Sequence, residues 1–205
     1  MFDTSYDITG NTILDASLFA DGISLQGATA VFGGALDRGS VVGSRIARND
    51  ITMVDSLFAG VGLYGDVDRT VVMDNAVCGT ADAGIVGYAF GPFPIEGRSN
   101  VVRGNDLSEL DTTTVHVGLF GPTHGGRVEG NAIGTGGVGV FLDGAHGSVI
   151  NNDWSASDQD GGRVVLGPDS RKTVVNERGF PSGDVRSEVV DLGDDNHVVS
   201  RDLCE

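Results

Sequence analysis

Titratable side chains return at one place in a repeating frame: Asp68 with Arg69, then Arg98, His124, His146, Arg171 with Lys172, and Asp195 with Asn196 and His197. If the frame stacks, they form a column. Two of them at the spacing of one strand could then reach the same substrate bond, which is what general acid–base catalysis requires. The same column also reads as a solvated edge, because exposed turns carry polar residues whatever the function. His124 and His146 could approach each other across one repeat, yet two imidazoles without a clear carboxylate neighbour make a weak metal site. The turn Asp158-Gln159-Asp160-Gly161-Gly162 supplies part of a calcium loop, as does Asp191 with Asp194 and Asp195. Asp158 and Asp160 are therefore candidate Ca2+ ligands, short of the ligand count such a loop needs.

What would hold these groups in place is an internal repeat. Asparagine returns at Asn11, Asn49, Asn75, Asn105, Asn131 and Asn152, almost always with an aliphatic residue three before it and an apolar residue two after. The frame continues around Arg178, flanked by Val175 and Phe180, and around Asp202, flanked by Val199 and Cys204. Successive intervals are 38, 26, 30, 26, 21, 26 and 24 residues. A fixed structural core thus recurs while its connections vary, the signature of a solenoid. Each repeat holds three strand-like pieces, so three short strands per turn, each pairing with its copies above and below, predict a coil of three parallel sheets. Residues 27–34 add an excursion between the first two asparagines.

The third piece recurs as Gly22-Ile23-Ser24-Leu25, Val61-Gly62-Leu63-Tyr64, Ile85-Val86-Gly87-Tyr88, Val115-His116-Val117-Gly118-Leu119-Phe120 and Val138-Gly139-Val140-Phe141. With its aliphatic residues inward, alternation turns Tyr64, Tyr88, Phe120 and Phe141 outward at equivalent positions. Gly62, Gly118 and Gly139 would form a trough beside that ladder, with His116 and Asp143 projecting from the same sheet. Aromatic faces beside polar groups suit a sugar ring, which makes the four aromatics candidate carbohydrate contacts. Stacked aromatics also stabilise a sheet unaided, lie under a loop such as residues 88–94, or fill a protein interface. His116, Asp143 and an edge arginine such as Arg98 are the weak catalytic candidates.

The asparagine frame resembles the internal ladder of the right-handed parallel β-helix superfamily, the pectate-lyase-like solenoids, across essentially the whole chain. The resemblance implies an all-β, right-handed parallel β-helix of about seven to eight coils with three parallel sheets and an Asn ladder, spanning residues 1–205 as one domain. Asparagine fits that place because it tolerates left-handed backbone angles and its amide can both donate and accept between coils. Arg178 and Asp202 depart from the pattern, so the ladder should weaken in the last two coils. Lyases of the superfamily pair acidic calcium ligands with an Arg or Lys base, and its hydrolases use clustered Asp carboxylates. Neither cluster is found. The segment Gly144-Ala145-His146-Gly147-Ser148 is faintly similar to the His-Gly segment of polygalacturonases, but the accompanying paired Asp and Arg-x-Lys segments are missing.

Composition narrows the partners. The formal charge of −16 rests on 29 acidic residues against 13 basic ones, only Lys172 being a lysine. A phosphate backbone demands a basic surface, so nucleic acid is excluded as a natural partner. The same balance is consistent with a high-salt habitat, or simply with Asp-rich turns. Cys78 and Cys204 are too few for a disulfide framework and are expected at inward positions, as small hydrophobes. The first residues show no signal peptide, no run approaches transmembrane length, and no capping segment is evident at either end, as expected of a piece of a longer solenoid or of ends covered by a partner. The leading expectation is a non-catalytic β-helix domain of a secreted or surface protein that presents a rigid face to carbohydrate or protein. A polysaccharide lyase or related enzyme acting on an acidic polysaccharide, and a structural solenoid in a homo-oligomer, are the alternatives.

Overall fold

The computed structural model describes residues 2–27, 39–88, 97–157, 163–177, 180 and 188–199. The first coil runs through β1 (Phe2–Thr4), β2 (Asp7–Thr9), β3 (Thr12–Ser17) and β4 (Ile23–Gln26). The second holds β5 (Gly39–Val42), β6 (Arg45–Ala47) and β7 (Asp50–Tyr64), and the third β8 (Val67–Asp68), β9 (Val71–Met73) and β10 (Ala76–Tyr88). Coils four and five each reduce to a short and a long strand: β11 (Val101–Arg103) with β12 (Asp106–His124), then β13 (Arg127–Glu129) with β14 (Ala132–Ala145). β15 (Ser148–Ile150) with β16 (Val164–Leu166), β17 (Val174–Asn176) with β18 (Val189–Asp191), and finally β19 (His197–Val198) complete the chain.

These strands form a parallel β-helix of eight coils. β2, β6, β9, β11, β13, β15, β17 and β19 stack as a short-stranded sheet, while β3, β7, β10, β12, β14, β16 and β18, with β4 beside β7, make a second, broader one. Among the described residues the third sheet holds β1, β5 and β8. In coils two to five the second and third pieces of the repeat fuse, giving strands of 13 to 19 residues. The connecting stretch is therefore not a loop there: it stays paired across register shifts, such as those between Gly79 and Ala81 and between Ala81 and Ala83, that turn the strand around the corner. Residues 28–34 of the excursion lie outside the described residues.

One aliphatic residue per short strand points to the axis: Ile46, Val72, Val102, Val128, Val149 and Val175 are all fully buried. Val61, Leu63, Ile85, Val117, Leu119, Val140, Leu142, Val164 and Leu166 meet them from the broad sheet in one continuous core. Cys78 departs from its expected place. It follows the inward Val77, is half-buried, and lies with its Sγ 3.7 Å from the Thr52 hydroxyl on the outer face.

The short strands are bounded on both sides by residues in the left-handed region, five apart: Gly43 and Arg48, Arg69 and Asp74, Ser99 and Gly104, Gly125 and Gly130, His146 and Asn151. The second member of each pair immediately precedes a ladder asparagine, so the left-handed angle belongs to that neighbour and not to the asparagine itself. Asparagine is selected for its amide. Each ladder residue donates from both its backbone N–H and its Nδ2 to the Oδ1 of the next, as Asn75 does to Asn105 at 3.0 and 2.9 Å. Its other Nδ2 hydrogen reaches back to a backbone carbonyl, for Asn75 that of Ile46 at 3.1 Å. The same pattern links Asn11, Asn49, Asn75, Asn105, Asn131 and Asn152 without a break. Every buried polar atom of the amide is thereby satisfied, which a buried polar column must achieve to avoid a desolvation cost of about 1–3 kcal/mol per orphaned group.

Candidate functional site

The aromatic ladder exists, and its rings face one another. Tyr64 and Tyr88 stack with centroids 6.2 Å apart and planes 10° from parallel; Tyr88 and Phe120 stack at 4.5 Å and 6°, Phe120 and Phe141 at 4.7 Å and 18°. All four are half-buried beside Ala59, Ala83, Val86, Val115 and Val138 in an apolar cluster on the outside of the broad sheet. The expected equivalence holds for Tyr64, Tyr88 and Phe120 but not for Phe141, whose backbone lies opposite Gly118. The reason is that Phe120 leans back along its own strand: a Cβ placed on Gly118 would meet its ring at 2.2 Å. Tyr64 leans over Gly62 in the same way, at 2.3 Å. The glycines are thus floors under the rings, not an open trough. Gly139 faces the interior instead, where an added Cβ would meet Trp154 at 2.3 Å. Residues 89–94 of the segment expected over the ladder lie outside the described residues.

Carboxylates fix the rim of this cluster. The Tyr64 hydroxyl donates to Asp21 Oδ1 at 2.9 Å, and the Ala59 N–H donates to the same oxygen at 3.1 Å. Asp82 Oδ1 accepts from the hydroxyls of Thr113 and Thr114, both at 2.6 Å. Burial, reinforced by the Asp21 charge, pushes the Tyr64 phenol up; burial and then Asp82 do the same for Tyr88. Both phenols stay protonated at neutral pH, which keeps the Tyr64 hydroxyl a donor to Asp21.

The three catalytic candidates do not converge. His116 was expected to project outward, but it is fully buried, in an inward column that holds Gly84 and Gly139 in the adjacent coils. The strand turns its corner there, so Val115 faces out and both His116 and Val117 face in. Its Nδ1 lies 3.3 Å from the Thr112 hydroxyl and its Nε2 3.2 Å from the Leu110 carbonyl oxygen. Asp143 is also buried: its Oδ1 accepts from the Asp169 N–H at 2.8 Å, beneath the turn that follows β16. That burial raises the Asp143 pKa, with the Asp169 charge adding to it and the Asp169 and Gly144 N–H groups opposing it. Arg98 lies on an exposed corner, where its N–H donates to Asp68 Oδ1 at 2.7 Å and its backbone pairs with His124.

The edge column stacks only in part: His124 pairs in register with Arg98 and Ala145, and Arg171 with Ala145 and Asp194, so His146 stands one position off, and His197 lies in the short-stranded sheet opposite Val174. His124 and His146 approach to 6.4 Å between ring centroids, both exposed. Among the described residues no three His, Cys, Asp or Glu side chains gather into a metal-binding group. Asp158 and Asp160 fall outside those residues, and Asp191 is engaged by the Gly193 N–H and by Asn196 Nδ2.

Two features escaped sequence reasoning. Glu177 takes over at the end of the asparagine ladder: its carboxylate accepts from the Asn152 N–H at 2.8 Å, from Asn152 Nδ2 at 2.6 Å and from Trp154 Nε1 at 3.2 Å, while Arg178 lies outside the described residues. Burial pushes its pKa up to about 7 against those three donors. The signal was the arginine breaking the frame, but it named only the position of the break. Second, charge is segregated. The segments that follow the ladder, 12–21, 50–59, 76–83 and 106–114, contain Asp and Glu but no Lys or Arg. The described arginines and Lys172 lie on the short-stranded sheet and its two corners, apart from Arg163, which is buried as an ion pair with Glu188 at 3.0 Å. This was visible only once the repeats had been folded onto separate faces.

No protein-family model, no curated protein sequence and no solved structure matches this chain. No helix among the described residues is long and apolar enough to cross a membrane.

Proposed function

We propose that this chain is a non-catalytic β-helix domain of a secreted or surface protein that uses a rigid lateral face to bind another protein. The observation that carries this reading is the dispersal of His116, Asp143 and Arg98 among the interior, the underside of a turn and an exposed corner. A substrate bond cannot be reached from all three, which speaks against a lyase even though the asparagine frame resembles the pectate-lyase-like solenoids. The stacked rings speak for a protein partner over a sugar. Recognition by stacking needs a free ring face, and the faces of Tyr88 and Phe120 are filled by their neighbours.

Turnover of polygalacturonate and other uronate polymers, followed by absorbance of the unsaturated product and by new reducing ends, tests the reading. No product above the buffer rate is expected. Product formation that a folded His116→Ala variant abolishes would overturn it.

A further inference from the structure

We propose that the outer corner of the first two coils is a docking surface for a polypeptide segment carrying both apolar and basic side chains. This rests on the protein-binding reading above and specifies the partner's chemistry.

The first observation is an apolar patch that the solenoid core leaves uncovered. Leu14, Leu18 and Phe19 of coil one are 70%, 64% and 76% exposed, and Val54, Leu57 and Phe58 of coil two are 42%, 61% and 41% exposed. A single exposed leucine needs no explanation, but Leu18, Phe19, Val54, Leu57 and Phe58 adjoin one another, with Leu14 on the strand that ends just before the first of them. Ser17 pairs with Val54, the Leu57 N–H donates to the Leu18 carbonyl at 2.8 Å, and the rings of Phe19 and Phe58 meet edge to face at 6.4 Å. The backbone is bent to display them: Asp15, Leu18 and Asp55 take φ of 58°, 57° and 46°. A leucine at such an angle is unusual, since the left-handed region costs about 1–2 kcal/mol for a side chain of this kind. The patch is local, because the same arc in coils three and four carries Thr80, Asp82, Glu109 and Asp111 instead.

The second observation selects the occupant. Asp15, Asp21, Asp50 and Asp55 belong to the same two segments as the patch, and no Lys or Arg lies within residues 12–21 or 50–59. A second copy docked patch to patch would bring those carboxylates against themselves. An anionic lipid surface, a uronate polymer or a nucleic acid would be repelled by the same groups. A polypeptide with leucine-like side chains for the centre and Lys or Arg for the rim is complementary in both respects.

The test uses the whole chain and a fluorescein-labelled peptide of alternating lysine and leucine, read by anisotropy, with lysine/serine and glutamate/leucine peptides as controls. Saturable binding of the lysine/leucine peptide alone is expected, weakening at roughly 0.5 M salt where the Debye length is short. Leu18→Ser/Phe19→Ser should weaken it about ten-fold or more, since two anchors are lost from sites too exposed to unfold the protein. Asp15→Asn/Asp55→Asn should weaken it several-fold, asparagine being tolerated at those backbone angles. The proposal is overturned if either double variant binds as the wild type does or if either control peptide binds equally well. It is also overturned if the wild type is a dimer that Leu18→Ser/Phe19→Ser dissociates, in which case the occupant is a second copy. Polysaccharide turnover would overturn the non-catalytic reading while leaving the patch result standing, so the two failures are distinguishable.

Discussion

At the scale of single residues, Glu177 carries the clearest functional liability of the interior. A glutamate ordinarily titrates near 4.5, and burial pushes this one to about 7 although three N–H groups point at it. The folded protein therefore holds the proton more tightly than the unfolded chain does. Its stabilising contribution is complete below pH 4.5 and is lost as the pH rises through 7, a span worth about 3 kcal/mol. Urea denaturation from pH 4.5 to 8 should show the stability of the wild type falling relative to Glu177→Gln across that window, and parallel curves would remove Glu177 as the cause. The ladder asparagines were legible because their amides need the same geometry in every coil. Glu177 was not, because a carboxylate can end an amide column from a neighbouring position and spacing alone does not say which residue reaches in.

Among the elements, the broad sheet shows how far strand alternation can be trusted. It correctly placed Val61, Leu63, Val117, Leu119, Val140 and Leu142 inside and the rings of Tyr64, Tyr88 and Phe120 outside. It failed for His116, Gly139 and Cys78. The first two stand where register shifts turn the strand around a corner, and Cys78 is one residue off the inward Val77, so an expectation one position out puts a side chain on the wrong face. Glycine content was informative only with the rings in view. Gly118→Ala would drive Phe120 from between Tyr88 and Phe141, and a loss of about 1–3 kcal/mol in urea denaturation is expected, with a weaker near-ultraviolet dichroism signal from the stacked tyrosines. Unchanged stability would mean that the ring reorients freely and that the stack is not tight.

The whole molecule is an acidic rod whose charges are sorted by face. A net charge of −16 on 205 residues opposes compaction, and the uninterrupted acidic arc after the ladder concentrates that repulsion. Raising salt from about 0.05 to 1 M shortens the screening length from more than 10 Å to about 3 Å, so the thermal midpoint should climb with sodium chloride and then level off. A flat response would show that the carboxylates are neutralised by other means. Fold class, coil count and core were readable from the repeat; the sorting of charge was not, since it emerges only when segments 26 or 30 residues apart are laid one above another. The amide column has one more property. Each side chain turns its oxygen toward the preceding coil and its nitrogen toward the following one, so six small dipoles add with the same sign along the axis. The rod has a polarity independent of its net charge, negative at the Asn11 end and positive beside Asn152, where the Glu177 carboxyl oxygens accept much as a side-chain oxygen caps the start of an α-helix.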